Sequence, residues 1–479
     1  MTINRHIKAL RDILPAKCVI DSPTDKAGYE QGVRGHKGRA LFVARPHTTS
    51  QVSAIVGYCA RHKIHLVAQS ANTGLVEGST PDQSGEQAIL SLAGLNQIHD
   101  VNTANRSIHL GAGVRLSQLN ARTEPQGLFF PVDLSADPMM GGMVSTNTGG
   151  SRFLRYGDVR ANTLALKVVL PDEHGTVLEL GSAVRKNNTG VDWKQIFIGT
   201  GGAFGIVTEC TMSLERSLKQ TATALITPRD DAAVTQLLEL IEERFGSLLT
   251  AFETMSGAAI QHALSHVPSL RNPFSQKTIP DISLLVELGA PWAHSGDDSR
   301  SLEAELLAFL TGVWDAPTKP ITDAVICPPT EIWRVRHSLS EGVRNAGELY
   351  AFDLGFQRDR LMSFRSEIRK RLKAQYPELE ICDFGHAGDG GIHLNLVRPN
   401  GLAVAECYFE GGLRDFVIDI AVNEFEGSFS AEHGLGRKNQ KYYDRYTAQK
   451  IKDLSGQIKN ILGPGLASSF NFSGTQPAY

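Results

Sequence analysis

Three histidines and one glutamate stand in stretches almost stripped of side-chain bulk. His386 and His393 lie within FGHAGDGGIHLN (384–395), and Glu432 and His433 are adjacent within SAEHGLGRKN (430–439). The intervening AGDGGI has to turn, so two imidazoles can converge on one ion from adjoining strands or loop ends. A carboxylate from elsewhere would complete a three-ligand set with an open position, the arrangement of catalytic zinc. Glu432 is the natural third ligand, because His433 then faces a neighbouring position. The spacing matches neither a zinc finger nor HExxH, and each histidine taken alone is more often a hydrogen-bonded structural residue.

Such loops need rigid elements behind them. ELYAFDLGF, LEICDF and GIHLNLV read as strands, with a helix over 358–375 between the first two. Upstream, TATALI, LTAFETM and ISLLVELG read as further strands, and DDAAVTQLLELIEERFG and SRSLEAELLAFLTG as helices. Together they predict an α+β unit on a mainly antiparallel sheet. The first half has another texture. ALFVARP and HLVAQSA read as strands, and Val52, Ile55, Val56 and Cys59 fall at helical spacing between them, with Thr49 or Ser50 as the cap. A β-α-β unit follows. LALKVVLPDEHGTVLEL reads as a hairpin turning at 171–175, and a helical segment over roughly 442–462 precedes a polar tail. The fold class is α+β, divided as 1–36 (a helical N-terminal segment), 37–216, 217–425 and a returning C-terminal segment 426–479.

Glycine gathers again in QSANTGLVEGSTP (69–81), GGMVSTNTGGSRFLRYG (141–157) and GTGGAFGIVT (199–208). Small residues let backbone N–H groups turn toward a phosphate without steric conflict. None of the three is a P-loop or a GxGxxG opening a helix, and each by itself is more often a tight turn. Three in one domain point to a large phosphate-bearing cofactor.

Composition excludes several classes. At 479 residues the chain exceeds one core. Its net charge of -3 and lack of like-charge blocks argue against nucleic acid as a partner. No run of 18 apolar residues or signal-like start occurs, so no transmembrane helix is expected. The six scattered cysteines, Cys18, Cys59, Cys210, Cys327, Cys382 and Cys407, suit a reduced compartment. The expected location is the cytoplasm, with a peripheral contact at the inner membrane face left open.

The order of these loops, with RKNNTGVDWKQIFIGTGGAFGIVT at 185–208, resembles the vanillyl-alcohol-oxidase-type flavoproteins, and within them the FAD-dependent D-2-hydroxyacid dehydrogenases. That branch includes D-2-hydroxyglutarate and D-lactate dehydrogenases. The likeness runs from about residue 37 to the tail and involves five separated motifs in one order. It implies a PCMH-type FAD-binding domain at 37–216 and a substrate (cap) domain at 217–425, with the C-terminal segment packing on the FAD domain. By resemblance, Asn72, Thr73, Gly74, Gly78 and Ser79 contact the FAD pyrophosphate. Gly141, Gly142, Asn147, Gly149, Gly150, Gly157, Ile206 and Asn471 line the rest of the FAD. The first loop has no histidine where relatives with covalent flavin carry one, so non-covalent FAD is implied. His386, His393 and Glu432 match the family's divalent-metal ligands, usually binding zinc.

The implied chemistry removes a hydroxyl proton and passes a hydride from Cα to flavin N5. A dication lowers the pKa of bound water from about 15.7 into the 7–9 range, and an alcohol should respond similarly. His433 is then the base and Asn395 a hydrogen-bonding partner at the reacting centre, whereas Asp389 reads either as a residue supporting the ligands from behind or as a turn residue. Arg336 matches the family's substrate-binding arginine and Ser340 its neighbour one turn later; on residue type alone, the helix around Trp333 is a solvated face. Two departures stand out. Ala351 replaces the lysine that holds the distal carboxylate in the hydroxyglutarate enzymes, which favours a D-2-hydroxy monocarboxylate, and Gly391 replaces the usual Asn. Electrons would leave through a quinone, a cytochrome or an electron-transfer flavoprotein, and a homodimer is carried as the assembly. The rivals are a dicarboxylate dehydrogenase, an oxygen-using oxidase and, from another class, a metallohydrolase.

Overall fold

The structure is a computed structural model that describes residues 3–274, 278–293, 301–399, 412–463 and 470–474. Two compact units divide the chain. The first comprises 1–150, 157–217 and 432–479, and the second 151–156 and 218–431. Cys407 lies outside the described residues.

In the first unit, strands Ala40–Ala44 and His65–Gln69 run parallel to Gln87–Ser91, which lies between them. Helix Thr49–Arg61 connects the outer pair and buries Val52, Ile55, Val56 and Cys59, as the spacing predicts. Its cap differs from expectation. Thr48, in extended backbone, accepts the N–H of Gln51, so the helix starts one residue earlier. A second, antiparallel sheet runs in the order Ser107–Gly111, Ile206–Ser213, Thr163–Val169, Val177–Gly181, and its last two strands form the expected hairpin.

The region 141–157 is less loop-like than its glycines suggest. Met140–Thr146 is a helix, with Met140, Met143 and Val144 facing a core built around Ile108, Leu110, Phe130 and Phe197. Helical spacing was present there, but Gly141 and Gly142 obscured it. Residues 151–156 belong to the second unit, where Arg155 donates to Gly289 O at 2.6 Å.

The C-terminal segment completes the first unit. Arg437 donates to Thr80 O at 2.8 Å, Lys438 pairs with Glu77 at 3.3 Å, and Gly436 packs on the Val76 carbonyl. Its helix is split into Gln440–Tyr446 and Gln449–Leu462, where the sequence suggested one element.

The second unit is built on an eight-stranded antiparallel sheet. Along it run Ile321–Cys327, Gln220–Pro228, Ile282–Ala290, Leu249–Ser256, Phe384–Gly385, Gly391–Pro399 and Gly347–Gly355, with Glu380–Ile381 also pairing onto Gly391–Pro399. LEICDF is therefore two short strands, broken at Asp383. That buried carboxylate turns aside to meet Arg365 at 2.6 Å and Arg369 at 2.9 Å. Helices Gly257–His266 and Pro329–Asn345 cover the face carrying Ala251, Met255, Leu285, Phe384 and Val397. They cross closely because position 342 is glycine; a Cβ there would lie 2.7 Å from the Ala263 backbone.

Candidate active site

The histidine-bearing hairpin shows why its loop carries so little bulk. Phe384 pairs with His393 across the two strands, and the chain reverses over 387–390. Asp389 and Gly391 both donate their N–H to His386 O, at 3.1 and 3.0 Å. Gly390 has φ +91° and lies against Phe356 O, a position closed to any Cβ. Asp389 Oδ1 accepts the Gly391 N–H at 2.9 Å, which makes Asp389 a turn residue. A side chain at Gly391 would press on Asp389 Oδ1, 3.0 Å from the Cβ position, and meet His386 at ordinary contact distance.

This reversal brings His386 Nε2 to 3.4 Å from His393 Nε2. His386 Nδ1 lies 2.7 Å from Glu253 Oε1. Glu253 is fully buried in strand Leu249–Ser256, and its Oε2 also takes Nε and Nη2 of Arg336, each at 2.8 Å. Burial alone would raise the Glu253 carboxyl, but the charges and hydrogen bonds of His386 and Arg336 hold it at about 2. With Nδ1 engaged by the Glu253 carboxylate, Nε2 is the ring nitrogen of His386 that faces the second imidazole. A carboxylate orienting a histidine in this way is the usual outer support of a metal ligand. The donor set therefore fits a divalent ion.

Directly paired residues share a face, and so do residues two apart along a strand. Asp353 pairs with His393 and Ala351 with Asn395, so these four side chains line one face of the ribbon. Asn395 is buried and donates from Nδ2 to His393 O at 3.2 Å. Arg336 stacks over the Phe384 ring, its charge already engaged by Glu253. Ser340, one turn further on, is exposed.

Sequence reasoning missed two residues here. Glu253 could have been found, because a glutamate within the apolar run LTAFETM must be partnered if the strand is buried on both faces. Arg414 carried no signal. It reaches the edge of strand Gly347–Gly355 from helix Gly412–Asp419, donating from Nη1 to Ala351 O at 3.1 Å over the Phe352 ring.

In the first unit, the cofactor-loop side chains mostly hold the loops in shape. Asn72 has φ +55°, donates to Gln31 O at 2.8 Å and accepts from the Ser79 hydroxyl at 2.8 Å. Asn147 has φ +52°, donates to Asp158 and accepts the Arg160 N–H. Asn471 exchanges backbone hydrogen bonds with the Gln440 side chain. Ile206 is buried at the start of its strand, and Gly74 has open space on its Cβ side. A loop braced from within and open at Gly74 fits a phosphate-bearing group. Glu432 joins this frame, since its Oε1 accepts the Gly150 N–H at 2.8 Å. A Cβ on Gly149 would come within 2.8 Å of the same oxygen. His433 is half-buried and precedes Gly434, whose φ of +76° turns the chain and whose carbonyl accepts from Asn439 at 2.9 Å.

Comparison with known families decides what the two units are. Residues 40–181 match the FAD binding domain, and residues 218–465 match the C-terminal domain of FAD linked oxidases. The chain belongs to the FAD-linked oxidase family. Among its relatives is a D-2-hydroxyglutarate–pyruvate transhydrogenase of Saccharomyces cerevisiae, 30% identical over 95% of this chain and 92% of the relative. The mitochondrial D-2-hydroxyglutarate dehydrogenase of Bos taurus is 30% identical over 96% and 81%. A D-2-hydroxyglutarate dehydrogenase of Xanthomonas citri pv. viticola is 29% identical over 96% of this chain and 95% of the relative. The same fold occurs in p-cresol methylhydroxylase, with a TM-score of 0.73 at 14% identity, covering 99% of this chain and 97% of that one. As a member of the family, the protein has the PCMH-type flavin fold and an antiparallel second unit. Among the described residues no helix is long and apolar enough to cross a membrane.

Proposed function

We propose that this FAD-linked oxidase converts a D-2-hydroxy acid to the 2-oxo acid, using a divalent ion held by His386, His393 and Glu432. The observation that carries the reading is the facing Nε2 pair backed by buried Glu253 and Arg336. Chain continuity supports Glu432. Ala431 donates its N–H to Asp353 O at 3.3 Å, and Asp353 pairs with His393, so the next residue starts one peptide from that strand pair.

FAD, bound without a covalent link, would supply the hydride acceptor for Cα. A divalent ion, zinc in this reading, makes the substrate hydroxyl a stronger acid. The chain's own residues do the rest. Arg336 keeps Nε and Nη2 on Glu253 and offers Nη1 to the substrate carboxylate, while Ser340 hydrogen-bonds one turn later. Asn395 orients the reacting carbon's substituents, and His433 takes the hydroxyl proton. Backbone amides around Asn72, Thr73, Gly74, Gly78 and Ser79 hold the pyrophosphate, and the loop carrying Gly141, Gly142, Asn147, Gly149, Gly150 and Gly157 faces the remainder. Reducing equivalents pass to a quinone, a cytochrome or an electron-transfer flavoprotein.

The test is an anaerobic screen of D- and L-2-hydroxy acids that follows loss of flavin absorbance. D-isomers bleach the flavin, L-isomers do not, and chelation abolishes the bleaching until metal is restored. Bleaching that is indifferent to chirality or chelation would refute the proposal.

Substrate class has two readings. Ala351 favours a monocarboxylate such as D-lactate or a longer homologue, because a buried distal carboxylate without a cation costs several kcal/mol, an order-of-magnitude figure. A dicarboxylate is favoured by Arg414, whose guanidinium reaches the Ala351 carbonyl. If Arg414 reads a distal carboxylate, Arg414→Ala raises KM for D-2-hydroxyglutarate about 10-fold or more, the scale of one charge-assisted bond of ~1.5–3 kcal/mol. KM for D-lactate stays unchanged. An unchanged KM for D-2-hydroxyglutarate in the variant, with D-lactate the better substrate of the wild type, would leave the monocarboxylate reading standing.

A further inference from the structure

We infer that His262, Glu380 and Cys382 form a second divalent-metal site, of zinc type, separate from the His386–His393 pair. The three residues come from two stretches of the second unit: His262 from helix Gly257–His266, and Glu380 and Cys382 from strand Glu380–Ile381 and the residue that follows it. Their ligand atoms all lie within 4.8 Å of one another. His262 Nε2 is already 2.7 Å from Glu380 Oε2. Ligands on a tetrahedral zinc ion, with bonds of about 2.0–2.3 Å, sit roughly 3–4 Å apart, so only small shifts close the set.

The surroundings favour an ion over a simple ion pair. Cys382 is fully buried and provides a dry sulfur floor, while the side chains of His262 and Glu380 are 23% and 41% exposed and leave a wet side for a water ligand. A thiolate, a carboxylate and a neutral imidazole balance a dication, which makes the loaded site electrically neutral. Binding expels the thiol proton to solvent. The mixture of sulfur, nitrogen and oxygen donors selects zinc over magnesium or calcium. Among the described residues, no other cysteine enters a cluster of three candidate ligands.

The frame around the site is firm. Cys382 donates its N–H to Asn395 O at 2.8 Å, and Glu380 pairs with Val397. His262 lies on the helix that presses against Gly342. An ion here would fasten that helix to the stretch leading into His386, giving it a positioning role outside the chemistry.

The experiment uses the full chain loaded with zinc alone, with bound metal counted and the zinc neighbours read by X-ray absorption. Wild type should hold two zinc ions per chain, and His262→Ala and His386→Ala one each. A sulfur neighbour at about 2.3 Å should appear in wild type and in His386→Ala and vanish in His262→Ala and Cys382→Ser. His262 is partly exposed, so its variant carries the test even if Cys382→Ser does not fold. One sulfur-free zinc in wild type, or a sulfur neighbour that survives in His262→Ala, would overturn the proposal. A single sulfur-bound zinc in both wild type and His386→Ala would uphold this site while removing the catalytic ion proposed above, so the two failures are distinguishable.

Discussion

Replacing His433 by alanine lowers turnover about 10²–10⁴-fold, the range supplied by a positioned general base, while FAD and metal remain bound. The residue is held from both sides. Its predecessor Glu432 is fixed by the Gly150 N–H, and its successor Gly434 turns the chain and accepts from Asn439. Removing the imidazole leaves those backbone anchors in place, so the flavin spectrum and metal content should match wild type. The check is the anaerobic rate of flavin reduction by the best D-2-hydroxy acid. A rate within a few-fold of wild type would remove His433 from the chemistry and leave the alcohol proton to another acceptor.

The elements were easier to read than their junctions. Helix Arg358–Gln375 and the long antiparallel strands followed from periodicity and from turn residues, because their burial is one-sided or complete over many residues. Difficulty came where one local rule masked another. Gly141 and Gly142 hid the helix Met140–Thr146, and the Asp383–Arg365–Arg369 network broke what sequence presented as one strand. In the site, His386 and His393 were legible from spacing, and the structure brings their Nε2 atoms together. The groups that orient them were not. Glu253 is far from the histidines in sequence, and only the sheet order Leu249–Ser256, Phe384–Gly385, Gly391–Pro399 makes it a neighbour. The candidate cofactor loops stand out in the sequence by their glycines. The roles of Asn72 and Asn147 depended on left-handed backbone and internal hydrogen bonds that composition does not reveal.

Glu253→Leu tests whether that buried carboxylate orients a metal ligand or only neutralises Arg336. The substitution preserves bulk but leaves a guanidinium in the core without its partner, which should destabilise the second unit by about 3–5 kcal/mol. It also removes the acceptor for His386 Nδ1–H. Outer-shell losses of this kind weaken metal affinity about 10–100-fold. The two effects separate in the double variant Glu253→Leu/Arg336→Met. With both charges gone, a buried pair replaced by apolar side chains of similar volume is often neutral or better for stability. Thermal unfolding should therefore return toward wild type. Metal affinity should not, because nothing in the double variant restores the proton acceptor that aims His386 Nε2 at His393. Zinc affinity measured by competition with a chelator, alongside the melting profile, reads both quantities. If affinity recovers together with stability, Glu253 acts only as the counter-ion of Arg336, and the imidazole pair is aligned by the hairpin alone.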